Sequence, residues 1–172
     1  MAVRHRPPVA AAFWVLAVAL RAAADDAPVI EHQPLPCSVP EKPIAICATA
    51  SDDNEIARVR AHFRRQGADF YSYVELNFTG LNHCGTLPGP RDGKVRAIEY
   101  YVQAVDDQYQ ITRTSTYQIS VQPEGVCEFP PVEKDPQRAK AIKVFATNKK
   151  QGRKLDDAFA VTGVSFVPVA TK

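Results

Sequence analysis

The sequence predicts an all-β fold: an antiparallel β-sandwich of about seven strands, with a small β-rich appendage at the C-terminal end. Three observations predict it. Short runs of alternating apolar and polar residues recur at intervals of about ten residues between Val29 and Pro123. Clusters of Gly, Pro, Asn and Asp separate these runs, and no window carries the 3.6-residue period of an amphipathic helix. The most regular run is Arg96–Asp107, where Ile98, Tyr100, Val102 and Ala104 fall on one side of an extended chain and Glu99, Tyr101 and Gln103 on the other.

The first residues stand outside this pattern. Arg4, His5 and Arg6 form a basic stretch, Val9 to Leu20 is an apolar run, and Ala22-Ala23-Ala24 precedes Asp25-Asp26. That order reads as a secretory signal peptide, residues 1–24, cut after Ala24. The apolar run is well short of the roughly 20 residues that span a bilayer, so no transmembrane segment is expected after cleavage. Cleavage removes Trp14, the only Trp, and takes Arg4, Arg6 and Arg21 from the 21 basic residues, leaving 18 against 19 acidic. The mature 148 of 172 residues are near neutral and enough for one core. Charge is uneven along them: Asp25 to Cys127 holds 9 basic and 14 acidic residues, Glu128 to Lys172 holds 9 and 5. An acidic body with a basic tail suggests that the two associate or that the tail meets an acidic partner.

Taken in order, Asp25 to Pro43 is proline-rich, which makes it edge strand and loop, with Val29–His32 a short first strand. Ile44–Ala50 is the second strand, its Ile44, Ile46 and Ala48 pointing inward and Cys47 outward. Ser51-Asp52-Asp53-Asn54 is a turn. Ile56–Arg64 places Val59, Ala61 and Phe63 on one face and Arg58, Arg60, His62 and Arg64 on the other. Phe70–Phe78 turns Val74, Leu76 and Phe78 inward, with Tyr71, Tyr73, Glu75 and Asn77 outward. A short strand fits around Gly85–Leu87, and Thr112–Val121 completes a hairpin with Arg96–Asp107.

The segments I-x-A-x-x-x-D (Ile46, Ala48, Asp52), I-x-x-V-x-x-x-F-R from Ile56, and I-E-Y-Y-V-x-A-x-D from Ile98 resemble the immunoglobulin-like and fibronectin type III-like modules of bacterial envelope and secreted proteins. Val102, Ala104, Val105 and Asp106 match the end of the sixth type III strand. Ile98 stands where that family has its corner tyrosine, and its buried Trp is missing from the second strand. The resemblance covers Val29–Pro123 and implies a type III-like sandwich over residues 25–125 that binds or spaces rather than catalyses.

All four cysteines lie in the mature part, and an even count behind a signal peptide reads as two disulfides. In the type III-like topology Cys37 and Cys127 come to the same pole, and Cys47 and Cys84 both point outward from neighbouring strands. Of three possible pairings, Cys37–Cys127 and Cys47–Cys84 are expected. The remaining segment, residues 126–172, is a basic C-terminal extension. It opens with Pro130, Pro131 and Pro136 as a linker, and Ala141–Ala146 and Gly163–Val169 are its two short strands. Between them comes a basic loop around Gly152, then one helical turn. So small a segment is expected to pack on the sandwich.

No nucleophile elbow, zinc helix, phosphate loop or dinucleotide fingerprint occurs, so no enzyme activity and no cofactor is expected. The ligand-binding candidates are Arg58, Arg60 and Arg64 with Tyr71, Tyr73 and Tyr101. Arg and Tyr combine contact area with directed polar contacts, and they suit a protein or an anionic glycan of the cell envelope. Arg stems lying over Tyr rings on an ordinary solvated face, or tail strands covering it, would explain the same residues. The loop Lys149–Lys154 could hold phosphates, although no nucleic acid is expected as a partner because no aromatics interleave. Asp52 and Asp53 in one loop and Asp106 and Asp107 in another are weak calcium candidates, against the plainer reading as Asx turns; no other metal site is expected. These readings together describe an exported, disulfide-bonded binding or structural module, secreted, periplasmic or in the cell envelope. The alternatives are a small secreted hydrolase without a recognisable motif, or a processed subunit whose tail docks into a partner.

Overall fold

The computed structural model describes residues 25–127 and 141–170; the segments expected to be a signal peptide and a proline linker lie outside them. The described chain is all-β, with eleven strands in order: β1 (Val29–Glu31), β2 (Cys37–Ser38), β3 (Ile44–Ser51), β4 (Ile56–Arg65), β5 (Ser72–Phe78), β6 (His83–Leu87), β7 (Ala97–Asp106), β8 (Ile111–Arg113), β9 (Tyr117–Val121), β10 (Ile142–Ala146) and β11 (Val164–Val167). They form one curled sheet rather than two clearly separate antiparallel layers. Its main path runs β1-β3-β6-β5-β4-β7-β9-β2, with β8 on β7 and the pair β10-β11 on β5. Two pairings, β2 with β9 and β10 with β11, are parallel, so the sheet is mixed.

Alternation sets which side faces in. Ile44, Ile46 and Ala48 of β3, Val59, Ala61 and Phe63 of β4, Val74 and Leu76 of β5, and Ile98, Tyr100, Val102 and Ala104 of β7 are all buried in one cluster. Phe78 departs from the expectation and stands exposed, because β5 bends there from β4 towards β6. The curl turns on β5, which bonds β10 through Ser72 and Tyr73 and β6 through Asn77 and Phe78. At this turn a Cβ on Gly85 would meet the Glu75 carbonyl at 2.8 Å, so only glycine lets the two strands come so close.

The long run expected at Thr112–Val121 is two strands. Thr114 donates its N–H to the Val102 carbonyl at 2.9 Å and accepts the Val102 N–H on its hydroxyl at 3.0 Å, which interrupts the ladder between β8 and β9. The N-terminal segment is tied to the core by Tyr100, whose buried hydroxyl donates to His32 Nε2 at 2.8 Å and accepts the Leu35 N–H at 3.1 Å. His32 Nδ1 in turn donates to the Cys47 carbonyl at 2.7 Å, so the carbonyl fixes the tautomer. Desolvation pushes the Tyr100 hydroxyl up to about 12, which keeps this donor protonated.

The disulfides are Cys37–Cys127 and Cys47–Cys84, the expected pairing. Cys47 and Cys84 face each other directly across β3 and β6 on the outer side of the sheet. Two disulfides fit an extracellular or envelope protein. No helix among the described residues is long and apolar enough to cross a membrane.

The tail is part of the same core. β10 extends the sheet beside β5 instead of covering its outer face, and Val144, Leu155, Ala158 and Phe159 join the buried cluster. Ala160 donates to the Gly89 carbonyl and Arg91 to that of Ala158, both at 2.8 Å, so the tail is also bonded along Gly89–Arg91. The expected helical turn after the basic loop is absent. A single 3-10 turn sits within the loop at Lys149–Gln151, where Asn148 accepts the Lys150 N–H on its side chain.

Candidate functional site

The outer face of β5, β4 and β7 carries the Arg and Tyr residues, and the register arranges them in rungs across the strands. One rung is aromatic: Phe145 of β10 lies opposite Tyr73 of β5, Tyr73 opposite His62 of β4, and His62 opposite Tyr101 of β7. The rings follow in that order, with centroids 5.0 Å apart for the stacked pair Phe145 and Tyr73, 5.3 Å for the tilted pair Tyr73 and His62, and 4.6 Å for the stacked pair His62 and Tyr101. The next rung is polar, with Glu75, Arg60, Gln103 and Arg113 side by side on β5, β4, β7 and β8. On the other side of the aromatic rung, Arg64 faces Glu99.

Each arginine near a ring covers it. Arg60 sits 4.3 Å from the Tyr73 centroid, Arg64 4.4 Å from that of Tyr71 and Arg113 5.6 Å from that of Tyr101. Two of them are also neutralised. Arg60 Nε donates to Glu75 at 2.9 Å, and Arg64 Nε donates to Glu99 at 2.7 Å while its Nη1 donates to the Ala68 carbonyl at 2.8 Å. The expected set Arg58, Arg60, Arg64, Tyr71, Tyr73 and Tyr101 is thus brought onto one face, but as a self-packed lattice. Arg58 and Arg113 pair with no carboxylate among the described residues.

His62 is the centre of the lattice. It is 7% exposed, and neither ring nitrogen has a hydrogen-bond partner. Burial, with the Arg60 and Arg113 charges added, holds its pKa down at about 4. The unfolded chain therefore takes up a proton near the ordinary 6.5 that the folded chain refuses until about 4. Stability is full above pH 6.5 and is lost as pH falls through that window, by up to about 3 kcal/mol. We expect His62→Phe, which keeps the stack and removes the orphaned nitrogens, to unfold at higher urea than wild type at pH 7. Its advantage should widen by about that amount at pH 4. Urea midpoints at the two pH values measure this, and a constant gap would mean that His62 is not the titrating group.

Sequence reasoning missed Phe145, Gln103 and Arg113, and it missed that Glu75 and Glu99 cancel two of the arginines. The signal for the glutamates was present, since both sit on outward positions of adjacent strands; only the register was lacking. Near the end of β4 a cleft of about 240 Å³ is lined by Arg65, Lys150, Lys154, Asp156 and Phe159. Arg65 and Asp156 close much of its charge on each other at 2.9 Å. The basic loop is pinned to β5 at its base, where Gln151 donates to the Ser72 hydroxyl and Thr147 to the Tyr71 carbonyl, each at 2.5 Å. Of the calcium candidates, Asp52 and Asp53 cluster with Asp25, while Asp107 stays exposed and outside the group.

No protein-family model matches this chain, and no curated protein matches it. Among solved structures it is similar to the crystal structure of an engineered protein, with 14% identity, 59% of this chain and 21% of that one covered, and a TM-score of 0.43. It is also similar to the SrpA adhesin from Streptococcus sanguinis, with 15% identity, 64% of each chain covered and a TM-score of 0.40. A point mutant of that adhesin gives 14% identity, coverage of 60% and 62%, and a TM-score of 0.37. The chain spans about a fifth of the engineered protein's length and less than two thirds of the adhesin's. Likenesses this distant define no family, and what each neighbour binds is a property of that neighbour.

Proposed function

We propose that this chain is an exported immunoglobulin-like or fibronectin type III-like module that binds a partner and performs no catalysis. The grouping of strands supports the type. The first, second and fifth main strands (β1, β3, β6) neighbour one another, and the third, sixth and seventh (β4, β7, β9) neighbour one another, as in immunoglobulin-type sandwiches. Departures are the outward disulfide, the parallel strands and the tail bonded to β5.

The observation that carries the binding reading is the aromatic and guanidinium lattice on the outer face of β5, β4 and β7. Its rings and forks are held rigid before any ligand arrives, so little side-chain entropy is lost on contact. With Arg60 and Arg64 neutralised, the face favours a flat protein surface over a strongly anionic ligand; an anionic glycan remains the second reading, through Arg58 and Arg113.

The lattice changes which substitutions test the face. Tyr73 supports β10 through Phe145, so its removal disturbs the fold together with the surface. Arg58 is exposed and tolerates truncation, usually within about 0.5 kcal/mol. Arg113 Nε instead donates to Oε1 of the buried Gln103 at 3.0 Å, so its removal would orphan that acceptor. Arg58→Ala should keep the wild-type melting temperature and lose at least tenfold in capture of the envelope partner. Equal capture by both chains would move the ligand elsewhere, with the loop Lys149–Lys154 the next surface to vary.

A further inference from the structure

We propose that the turns at one end of the fold form a calcium site, built from the carboxylates of Asp25, Asp52 and Asp53 with the buried Asp106 beside them. Asp52 and Asp53 lie in the turn between β3 and β4, Asp106 ends β7, and Asp25 precedes β1. Asp25, Asp52 and Asp53 each place a carboxylate oxygen so that all three lie within 4.8 Å of one another. Calcium holds six to eight oxygens at about 2.3–2.6 Å, so its ligands stand up to about 5 Å apart across the ion. The spacing fits.

An acidic cluster alone would be two Asx turns. The further observation is a pair of buried carboxylate oxygens without donors. Asp106 is 0% exposed; its Oδ1 accepts the Gln110 N–H at 2.7 Å, but Oδ2 is sealed from solvent with no partner. Asp52 repeats the arrangement, its Oδ2 accepting the Asn54 N–H at 3.3 Å while Oδ1 is buried and unpartnered. Burying carboxylate oxygens without a donor or cation is costly.

The charges are also close enough to feel one another. The Asp52 proton affinity is raised by burial first, then by the Asp53, Asp106 and Asp25 carboxylates. Gln110 links the two sides of the cluster, giving its N–H to Asp106 and its Nε2 to the Asp25 carboxylate at 2.6 Å. No Lys or Arg pairs with any of the four among the described residues. A dication would supply what is missing, a positive charge and a ligand for each orphaned oxygen. The donors are all hard oxygens, which excludes soft metals, and a lining of carboxylates from separate turns suits calcium better than magnesium, which retains its waters and demands octahedral geometry. Asp107 takes no part: it is exposed, and its N–H donates to the Glu55 carbonyl at 3.0 Å.

The test is calorimetric titration of the disulfide-bonded, processed chain with calcium chloride after stripping with EGTA, paired with thermal unfolding. One site is expected, with a Kd of about 10⁻⁴–10⁻³ M as for extracellular modules, and a melting temperature that rises with calcium and much less with magnesium. Asp52→Asn and Asp106→Asn should each weaken binding at least tenfold, while Asp107→Asn binds as wild type. Removing a charge relieves repulsion, so Asp106→Asn without calcium should melt no lower than wild type; this separates a lost site from a lost fold. If that variant does not fold, the exposed Asp53→Asn carries the same comparison. Cleavage after Ala24 would put the α-amino group of Asp25 beside the cluster, and using the processed chain makes calcium compete with it. Absence of heat and of any melting shift at roughly tenfold above that concentration range overturns the proposal. So does wild-type binding in the Asp52, Asp53 and Asp106 variants.

Discussion

Phe159→Ala should destabilise the whole protein by about 3–5 kcal/mol, the range for truncating a large aromatic in a packed core. Phe159 is 1% exposed and meets Phe63 of β4 edge to face with centroids 5.1 Å apart. Leu155, Ala158 and Val144 lie in the same cluster, and the backbone on either side is bonded to Gly89 and Arg91. The cavity left by the ring cannot be filled by a local shift, because the β4 and β5 strands around it are held on both edges. Urea unfolding followed by circular dichroism should show one transition displaced to lower denaturant. If the tail were an independent appendage, the body would keep its midpoint and a separate early transition would appear. A loss below about 1 kcal/mol would place the tail outside the core.

Replacing Cys37 and Cys127 by Ala should cost about 4–5 kcal/mol, and more than the same change at Cys47 and Cys84. The Cys37–Cys127 bridge spans 90 residues and encloses nearly the whole sheet, so its loss frees the most chain entropy in the unfolded state. The Cys47–Cys84 bridge spans 37 residues, for which the same relation yields slightly under 4 kcal/mol. Geometry adds to the difference. Cys47 and Cys84 already face one another across a hydrogen-bonded ladder that survives without the bridge. Cys37 and Cys127 are both buried, and β2 is held to β9 by only two residue pairs, Cys37 with Ser120 and Ser38 with Val121. Equilibrium unfolding of the two double variants decides the ranking, and a larger loss for the Cys47/Cys84 variant would reverse the argument.

The sequence by itself determined the strands and which way they face. Ile44-x-Ile46-x-Ala48, Val59-x-Ala61-x-Phe63 and Ile98-x-Tyr100-x-Val102-x-Ala104 point inward as the alternation requires, because a strand's period of two is a local property and burial rewards only one register. Turn chemistry at Asp52–Asn54 and Gln66-Gly67 was equally legible, as were the two disulfides. What only the tertiary structure decided depends on residues far apart in the chain. The parallel strands β2 and β11 and the interruption at Thr114 rest on partners that no short window contains. The tail's place beside β5, with Phe159 against Phe63, joins positions almost a hundred residues apart. The candidate face shows the same division. Alternation put Arg58, Arg60, His62 and Arg64 on one side of β4, but cross-strand register set Glu75 and Glu99 against two of the arginines and placed His62 between Tyr73 and Tyr101. Charge pairing and desolvation act through space, so the buried, hard-to-protonate histidine and the orphaned oxygens of Asp52 and Asp106 were set only when the strands came together.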